Sequence, residues 1–282
     1  MEYTLNCNGH LLDLHTPLVM GILNVTPDSF YAGSRTMSEQ QIIERTRQIL
    51  QEGGSIIDVG ACSTRPGSEP VSQEEEMERL RFALGLIRKE APDAVVSVDT
   101  FRPDVARMVV EEYGADIIND VGNCQLSIVN SQSTMFRMVS RLHVPYILMS
   151  QEATMRDMLL RFARDVDELR SYGQKDIILD PGFGFGKTLE QNYAVASQLE
   201  QLQILQLPIL VGFSRKSMIY RLLDTQPEQA LNGTSVLNTV SLTKGASILR
   251  VHDVREAVEC VGIVESLELR EICYSNLALK IS

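Results

Sequence analysis

Carboxylate and amide side chains end several of the short apolar runs in this sequence. Asp99 and Asp180 each end such a run, and Asn119 lies at the end of another. A carboxylate can accept two parallel hydrogen bonds from an amidine-like edge, and an amide offers a donor and an acceptor side by side. These residue types therefore predict a pocket for a flat heterocycle that is rich in N–H groups.

Cationic and donor side chains end or closely follow other runs of the same kind. They are Arg65, Arg215, Lys216, Arg250 and His252. Guanidinium and ammonium groups bind phosphate oxygens, and barrels of parallel strands commonly hold phosphate on the loops after the seventh and eighth strands. The sequence therefore predicts a phosphate or diphosphate site beside the ring pocket.

Other kinds of site are not favoured. The segment Gly182–Thr188 looks like a nucleotide P-loop, but that motif needs a glycine where Pro181 stands. No two histidines have the spacing of a zinc site. The five cysteines are odd in number and scattered, so we expect reduced thiols and not a disulfide framework.

These side chains can meet only if the elements that carry them converge. Eight apolar runs are each followed by a segment of helical periodicity. The predicted strands are Leu18–Val25, Ile56–Ala61, Val95–Thr100, Asp116–Val121, Tyr146–Ser150, Ile177–Pro181, Ile209–Ser214 and Ser247–Asp253. None alternates cleanly with polar residues, which is typical of parallel strands buried on both faces. Eight units without a linker favour an α/β fold, a (β/α)8 TIM barrel, over an open doubly wound sheet.

The chain is predicted to form one domain over residues 1–282. Tyr3–Asn8 and His10–Leu14 flank an Asn-Gly pair, a pattern that predicts a short N-terminal β-hairpin within residues 1–16. The barrel would occupy residues 17–282, with the hairpin at its bottom. Active sites of such barrels lie at the carboxyl ends of the strands, where the polar residues above are found.

The charge balance bears on partners and location. Lys and Arg number 26 and Asp and Glu number 37, so the net charge is −11. That charge repels nucleic acid and anionic membranes. No early apolar stretch is long enough to span a membrane, and residues 1–15 lack the order of a secretory signal. We expect a cytoplasmic protein whose partners are small molecules.

Seven short segments, in order along the chain, resemble those of dihydropteroate synthases. They are Gly21–Phe30, Ile57–Gly60 with Ser63–Gly67, Ser97–Thr100, Ile117–Asp120, Leu179–Lys187, Ser214–Ser217 and Leu249–Asp253. The resemblance implies a (β/α)8 barrel and a transferase of folate biosynthesis. That reaction condenses 6-hydroxymethyl-7,8-dihydropterin diphosphate with 4-aminobenzoate and releases diphosphate.

The same resemblance implies residue roles at the diphosphate. Asn24 would help to hold Mg²⁺ on it, while Arg250 and His252 would bind its oxygens. Thr64 and Arg65 would belong to a loop that closes over the site. Bond cleavage leaves negative charge on the diphosphate, so these groups would stabilise the leaving group.

Roles at the two rings follow from the resemblance as well. The pterin pocket would contain Asp99, Asn119, Asp180 and Lys216. The aminobenzoate would meet Ser217 through its carboxylate and Phe30, Pro66 and Phe185 through its ring. The expected catalytic residues are Asp99, Arg65 and Lys216, and Asp99 would favour the positive charge that develops on the pterin methylene.

Members of the family are commonly homodimers and are targets of sulfonamides, so both properties are expected here. Two segments depart from the family pattern, at Tyr31–Ser34 and at Ser150–Thr154. A pterin-binding methyltransferase and a catalytically silent pterin-binding module remain alternatives. The anion half of the site argues against the methyltransferase, because methyl transfer releases no diphosphate.

Overall fold

A computed structural model describes residues 3–25, 35–62, 71–122 and 131–278. The strands are β1 (Thr4–Cys7), β2 (His10–Asp13), β3 (Leu18–Asn24), β4 (Ile56–Gly60), β5 (Val95–Asp99), β6 (Ile117–Asp120), β7 (Tyr146–Met149), β8 (Ile177–Asp180), β9 (Leu210–Val211) and β10 (Ile248–Val251). The α-helices are α1 (Arg35–Gln51), α2 (Gln73–Glu90), α3 (Pro103–Tyr113), α4 (Ser131–Leu142), α5 (Met155–Ser171), α6 (Leu189–Ser197), α7 (Ser217–Leu222), α8 (Leu231–Thr243) and α9 (Val254–Ala278). Short 3-10 segments cover Leu199–Leu205 and Pro227–Gln229.

Strands β3 to β10 form one parallel sheet that closes on itself. Their order is β8-β7-β6-β5-β4-β3-β10-β9. A parallel bridge between Leu179 and Ile209 joins the two ends, and the Leu179 amide donates to the Pro208 carbonyl at 2.8 Å. The predicted (β/α)8 barrel is therefore confirmed.

The seventh barrel strand is shorter than predicted. Leu210 and Val211 alone make up β9, whereas the apolar run predicted Ile209–Ser214. The run continues into a turn, because the Lys216 amide donates to the Phe213 carbonyl at 3.0 Å. Arg215 in that turn has a φ of 54°. The turn places the polar residues 214–217 directly above the strand.

The N-terminal hairpin is confirmed and covers the bottom of the barrel. Strands β1 and β2 pair antiparallel, and Asn8 and Gly9 at the turn have φ values of 51° and 89°. Positive φ at both positions is what a two-residue type I′ turn requires. The hairpin buries Leu5, Cys7 and Leu14 against the lowest inward side chains of the barrel, which are Met20, Ile56, Ile117, Ile147, Ile178, Leu210 and Ile248.

The layer above this apolar plug is polar. Side chains of a strand alternate between its two faces, so the next inward position lies two residues further along each strand. These positions are Ile22, Asp58, Ser97, Asn119, Met149, Asp180, Gly212 and Arg250. We call the set the inner polar layer, since five of its eight residues have polar or charged side chains. Buried polar groups need partners, so this layer is the candidate site.

Among the described residues, no helix combines the length and the apolar character needed to cross a bilayer.

Candidate active site

Asp58 is the hub of the inner polar layer. Its side chain is fully buried and accepts hydrogen bonds from three neighbours on three other strands. Ser97 Oγ donates to it at 2.7 Å, Arg250 Nε at 2.7 Å, and Asn119 Nδ2 lies 3.3 Å from both carboxylate oxygens. Asp58 thus links the predicted pterin side of the site to the predicted anion side.

Neither Asp58 nor Ser97 was assigned a role in the site from the sequence. The signal that finds them is the two-residue period. Ile56 faces inward at the plug, so Asp58 must face inward one level higher. The same counting from Val95 places Ser97 beside it, and the two residues are paired in register.

Arg250 lies between two carboxylates. Nε donates to Asp58, and Nη2 donates to Asp99 Oδ2 at 3.0 Å. Burial raises the pKa of Asp99 to about 7, and the nearby Arg250 charge opposes that rise. Arg250 could therefore bind a diphosphate through Nη1, or through Nε or Nη2 after one of the carboxylates is released.

Asn24 and Asp99 flank a glycine at the open end of the strands. Asn24 pairs with Gly60, and Gly60 pairs with Asp99, in one row across β3, β4 and β5. A Cβ atom on Gly60 would lie 3.4 Å from Asn24 Oδ1 and 3.7 Å from Asp99 Cβ. The glycine thus lets the amide oxygen and the carboxylate approach each other. Asn24 is exposed, as a residue that meets a ligand must be.

Asp180 and Lys216 form the opposite wall. The Gly182 amide donates to Asp180 Oδ1 at 2.8 Å, and Lys216 Nζ donates to the Phe183 carbonyl. Burial lowers the pKa of Lys216 to about 8, against the opposing charge of Asp180. Burial likewise raises the pKa of Asp180, and Lys216 opposes that rise. The two groups therefore stabilise each other's charged form.

The two phenylalanines of the loop after β8 have different surroundings. Phe183 is fully buried and stacks on Phe213 with 4.2 Å between ring centroids. Lys216 Nζ lies 4.8 Å from the Phe185 ring centroid. Phe185 is therefore the ring beside Lys216, and Ser217, the residue after Lys216, begins α7.

Lys187 supports this loop instead of binding phosphate. Its Nζ donates to the carbonyls of Ser150, Gly182 and Phe185 at 3.1 to 3.3 Å. These contacts tie the loop after β8 to the end of β7. They agree with the conclusion that the glycine-rich segment is not a nucleotide P-loop.

His252 lies beside the site as a neutral imidazole. Its Nδ1 and its backbone amide lie 3.0 and 3.1 Å from Ser214 Oγ. Burial and the neighbouring arginines, Arg250 first, lower the pKa of His252 to about 4. At neutral pH it can therefore offer a phosphate a hydrogen bond but no charge.

Arg215 does not reach the anion side as a free cation, which corrects the expectation from sequence. Its guanidinium pairs with both carboxylate oxygens of Asp253, Nε at 3.1 Å and Nη2 at 2.5 Å. The left-handed turn at Arg215 aims its side chain at the start of α9. Thr64, Arg65, Phe30 and Pro66 lie outside the described residues.

Comparison with known proteins agrees with this geometry. The family model of pterin-binding enzymes matches residues 20–252. The dihydropteroate synthase of Escherichia coli (strain K12) is 37% identical over 273 residues, which cover 92% of this chain and 94% of that protein. The Bacillus subtilis (strain 168) enzyme of the same name is 37% identical over 258 residues, with 89% and 88% covered.

Solved structures give the same result. A Xanthomonas albilineans dihydropteroate synthase with 4-aminobenzoic acid has a TM-score of 0.85 and 31% identity, covering 95% of this chain and 99% of that one. A Yersinia pestis dihydropteroate synthase in complex with a sulfonamide drug has a TM-score of 0.82 and 34% identity, covering 94% and 99%.

The fold and the family match are those of a pterin-binding barrel enzyme. Within that class the chain belongs to the dihydropteroate synthase family, as the resemblance of its motifs implies. Members of this family are transferases, and so is this chain.

Proposed function

We propose that this chain joins 6-hydroxymethyl-7,8-dihydropterin diphosphate to 4-aminobenzoate. The C–O bond between the pterin methylene and the diphosphate breaks, and a C–N bond to the aminobenzoate amine forms with loss of one amine proton. The inner polar layer is the observation that carries the proposal. It sets acceptors for a ring, Asp180 and Asn119, within one barrel mouth that also contains Arg250 and His252.

Asp99 would stabilise the positive charge that develops on the methylene. Its carboxylate lies at the open end of β5, next to Asn24 and Arg250. A fixed charge in a buried site acts strongly on a developing charge of opposite sign. Burial raises the pKa of Asp99, and the Arg250 guanidinium at 3.0 Å opposes that rise and favours the ionised form.

Lys216 and Phe185 would meet both substrates. Lys216 is buried beside Asp180 and can donate to an acceptor on the pterin ring, which Asp180 binds from its N–H edge. Phe185 neighbours Lys216 through its ring and Ser217 neighbours it along the chain, and both would suit the aminobenzoate. Thr64 and Arg65, by family resemblance, would complete this end.

Mg²⁺ is part of the proposal, with Asn24 as its ligand from the protein. The ion prefers oxygen ligands and is often held by one or two protein groups together with substrate phosphates. Asn24 fits, because its amide oxygen is exposed beside the Asp99 carboxylate. The described residues contain no group of three or more His, Cys, Asp or Glu that could hold a metal alone. When bound, the ion would neutralise charge on the diphosphate.

A homodimer is proposed through the faces of α7, α8 and α9, and the partner is a second copy of this chain. Large apolar side chains on these helices, or directly after α7 in the case of Leu223, are 42% to 60% exposed; they are Leu222, Leu223, Val236, Val240, Ile263 and Leu267. Exposed large apolar side chains on adjacent helices are typical of an interface between protein chains. Light scattering should give the mass of two chains for wild type and of one chain for Val236→Glu.

Two further properties are proposed on family resemblance. Sulfonamides are expected to compete with aminobenzoate, as the complex of the Yersinia pestis relative suggests. A cytoplasmic location rests on the sequence alone.

The test of the activity is product formation by the purified chain. Dihydropterin diphosphate and Mg²⁺ are supplied with and without 4-aminobenzoate, and diphosphate and dihydropteroate are measured, the latter by mass. Diphosphate release that depends on aminobenzoate and matches dihydropteroate supports the proposal. Pterin binding without either product would support the silent binding module.

A further inference from the structure

The side-chain amide of Asn119 is held in one orientation by Asp58. Asn119 is fully buried, and its Nδ2 lies 3.3 Å from both oxygens of the Asp58 carboxylate. Ser97 Oγ and Arg250 Nε donate to the two oxygens of Asp58, each at 2.7 Å, so both oxygens act as acceptors. Such oxygens offer Asn119 only an acceptor. The NH₂ end of the amide must therefore face Asp58, and its carbonyl end must face away.

The carbonyl end is left without a partner. Asn119 Oδ1 is buried and accepts no hydrogen bond from the part of the chain that the structure describes. A buried acceptor that stays unpaired is uncommon and unfavourable. Asp58 by contrast is fully used, since Ser97, Asn119 and Arg250 all donate to it.

We propose that Asp58 is a positioning residue that determines which ring edge the site accepts. By fixing the Asn119 amide, it makes the site present a carbonyl oxygen and so selects a pterin edge that carries an N–H donor. The inference rests on the proposed pterin site, and Asp58 itself touches no ligand.

The substitution Asp58→Asn reverses the constraint. An amide at position 58 keeps an oxygen for Arg250 Nε, and its NH₂ group then takes the place of Oδ1, where it can donate to Ser97 Oγ but opposes the NH₂ of Asn119. The Asn119 amide then rotates, so that its carbonyl oxygen accepts a hydrogen bond from the NH₂ group at position 58. As a result, the NH₂ group of Asn119 faces the N–H donor of the ring. Two opposed donors exclude each other, so pterin affinity is expected to fall at least tenfold.

A reciprocal swap separates orientation from mere packing. In D58N/N119D the amide at position 58 donates to the carboxylate at position 119, whose second oxygen accepts from the ring. Affinity is expected to recover at least threefold relative to D58N. N119D alone places two carboxylates within hydrogen-bond distance and is expected to lose affinity as well.

The experiment is calorimetric titration of wild type and these three variants with 6-hydroxymethyl-7,8-dihydropterin, which lacks the diphosphate. Asp165→Asn is the matched control, because that buried carboxylate on α5 binds Arg161 and Arg164 outside the barrel wall. It should bind pterin as wild type does. The inference is overturned if D58N binds within twofold of wild type, or if the double variant binds no more tightly than D58N.

Failure of the proposed function looks different, because wild type itself would then not bind the dihydropterin. If D58N does not fold, NMR on the wild-type chain decides. The side-chain NH₂ signals of Asn119, identified by their absence in N119D, should keep their shift and their protection from exchange when the dihydropterin is added. A large shift, with exchange, would place the NH₂ end on the ring and reject the inference.

Discussion

Replacing Asp99 by Asn should slow the reaction far more than it weakens pterin binding. The change keeps the shape of the side chain and an acceptor for Arg250, which lies 3.0 Å away, but removes the charge. Asp180, Asn119 and Lys216 keep their ring contacts in this variant, so the Kd for dihydropterin should change less than tenfold. The charge that develops on the methylene during bond cleavage would lose its stabilising partner.

The size of the effect follows from Coulomb's law. Two unit charges about 4 Å apart interact by about 4 kcal/mol at an effective dielectric constant of about 20. Arg250 already balances part of the Asp99 charge. A loss of about 2–3 kcal/mol is therefore expected, which corresponds to a drop in kcat of roughly 30- to 160-fold.

Although Asp99→Asn should lower kcat, it should not lower the stability of the folded chain. The pKa of Asp99 is raised in the folded chain to about 7, so the folded state binds its proton more tightly than the unfolded state does. Its contribution to stability is full below about pH 4 and is lost as the pH rises through about 7. Asp99→Asn avoids that loss, so its Tm at pH 8 should equal or exceed that of wild type.

The assay is steady-state diphosphate release at pH 8, with calorimetry for dihydropterin and thermal melts of each protein. Asp165→Asn serves as the control for a buried carboxylate changed far from the mouth of the barrel. Equal losses in kcat and in pterin affinity would refute the electrostatic role of Asp99. A variant that is inactive only because its Tm collapses would refute the reasoning on stability.

Three further outcomes are expected. Burial lowers the pKa of Lys216 to about 8, so its ammonium donor is lost as the pH rises. In calorimetry, the affinity of wild type for dihydropterin should therefore fall between pH 7 and 9. Lys216→Met should show no such fall. Leu5→Ala empties part of the plug beneath the polar layer and should lower the free energy of unfolding in urea by about 2–5 kcal/mol; unchanged KM values at low temperature would show that the plug acts only on stability. EDTA should abolish turnover while leaving binding of the diphosphate-free dihydropterin intact, and activity that survives chelation would contradict the role given to Asn24.

The fold was predictable because its signals are local. Buried β-branched runs mark each strand, and the Asn8–Gly9 pair marks the hairpin. The polar ends of the strands point to the barrel mouth, where Asp99, Asn119 and Asp180 do lie. Where a turn competes with a strand, as at residues 213–216, an apolar run alone predicts too long a strand.

The pairing of charges was not predictable in the same way. Asp58 and Arg250 are 192 positions apart and meet only because the sheet closes and both face inward at one level. From the sequence, Arg215 and Arg250 were equally good candidates for binding phosphate. In the structure, the turn at Arg215 directs its guanidinium to Asp253. Which carboxylate an arginine pairs with depends on its neighbours in the folded chain, and the spacing of residues along the sequence does not predict these neighbours.

A crystal structure of the chain with bound 6-hydroxymethyl-7,8-dihydropterin would show whether the inner polar layer is the pterin site. We expect the ring in the barrel mouth, with its N–H edge on Asp180 and on the carbonyl oxygen of Asn119, and with Lys216 donating to it. A ring bound elsewhere, or bound in the mouth without contacts to Asp180 and Asn119, would contradict the assignment of the inner polar layer as the pterin site.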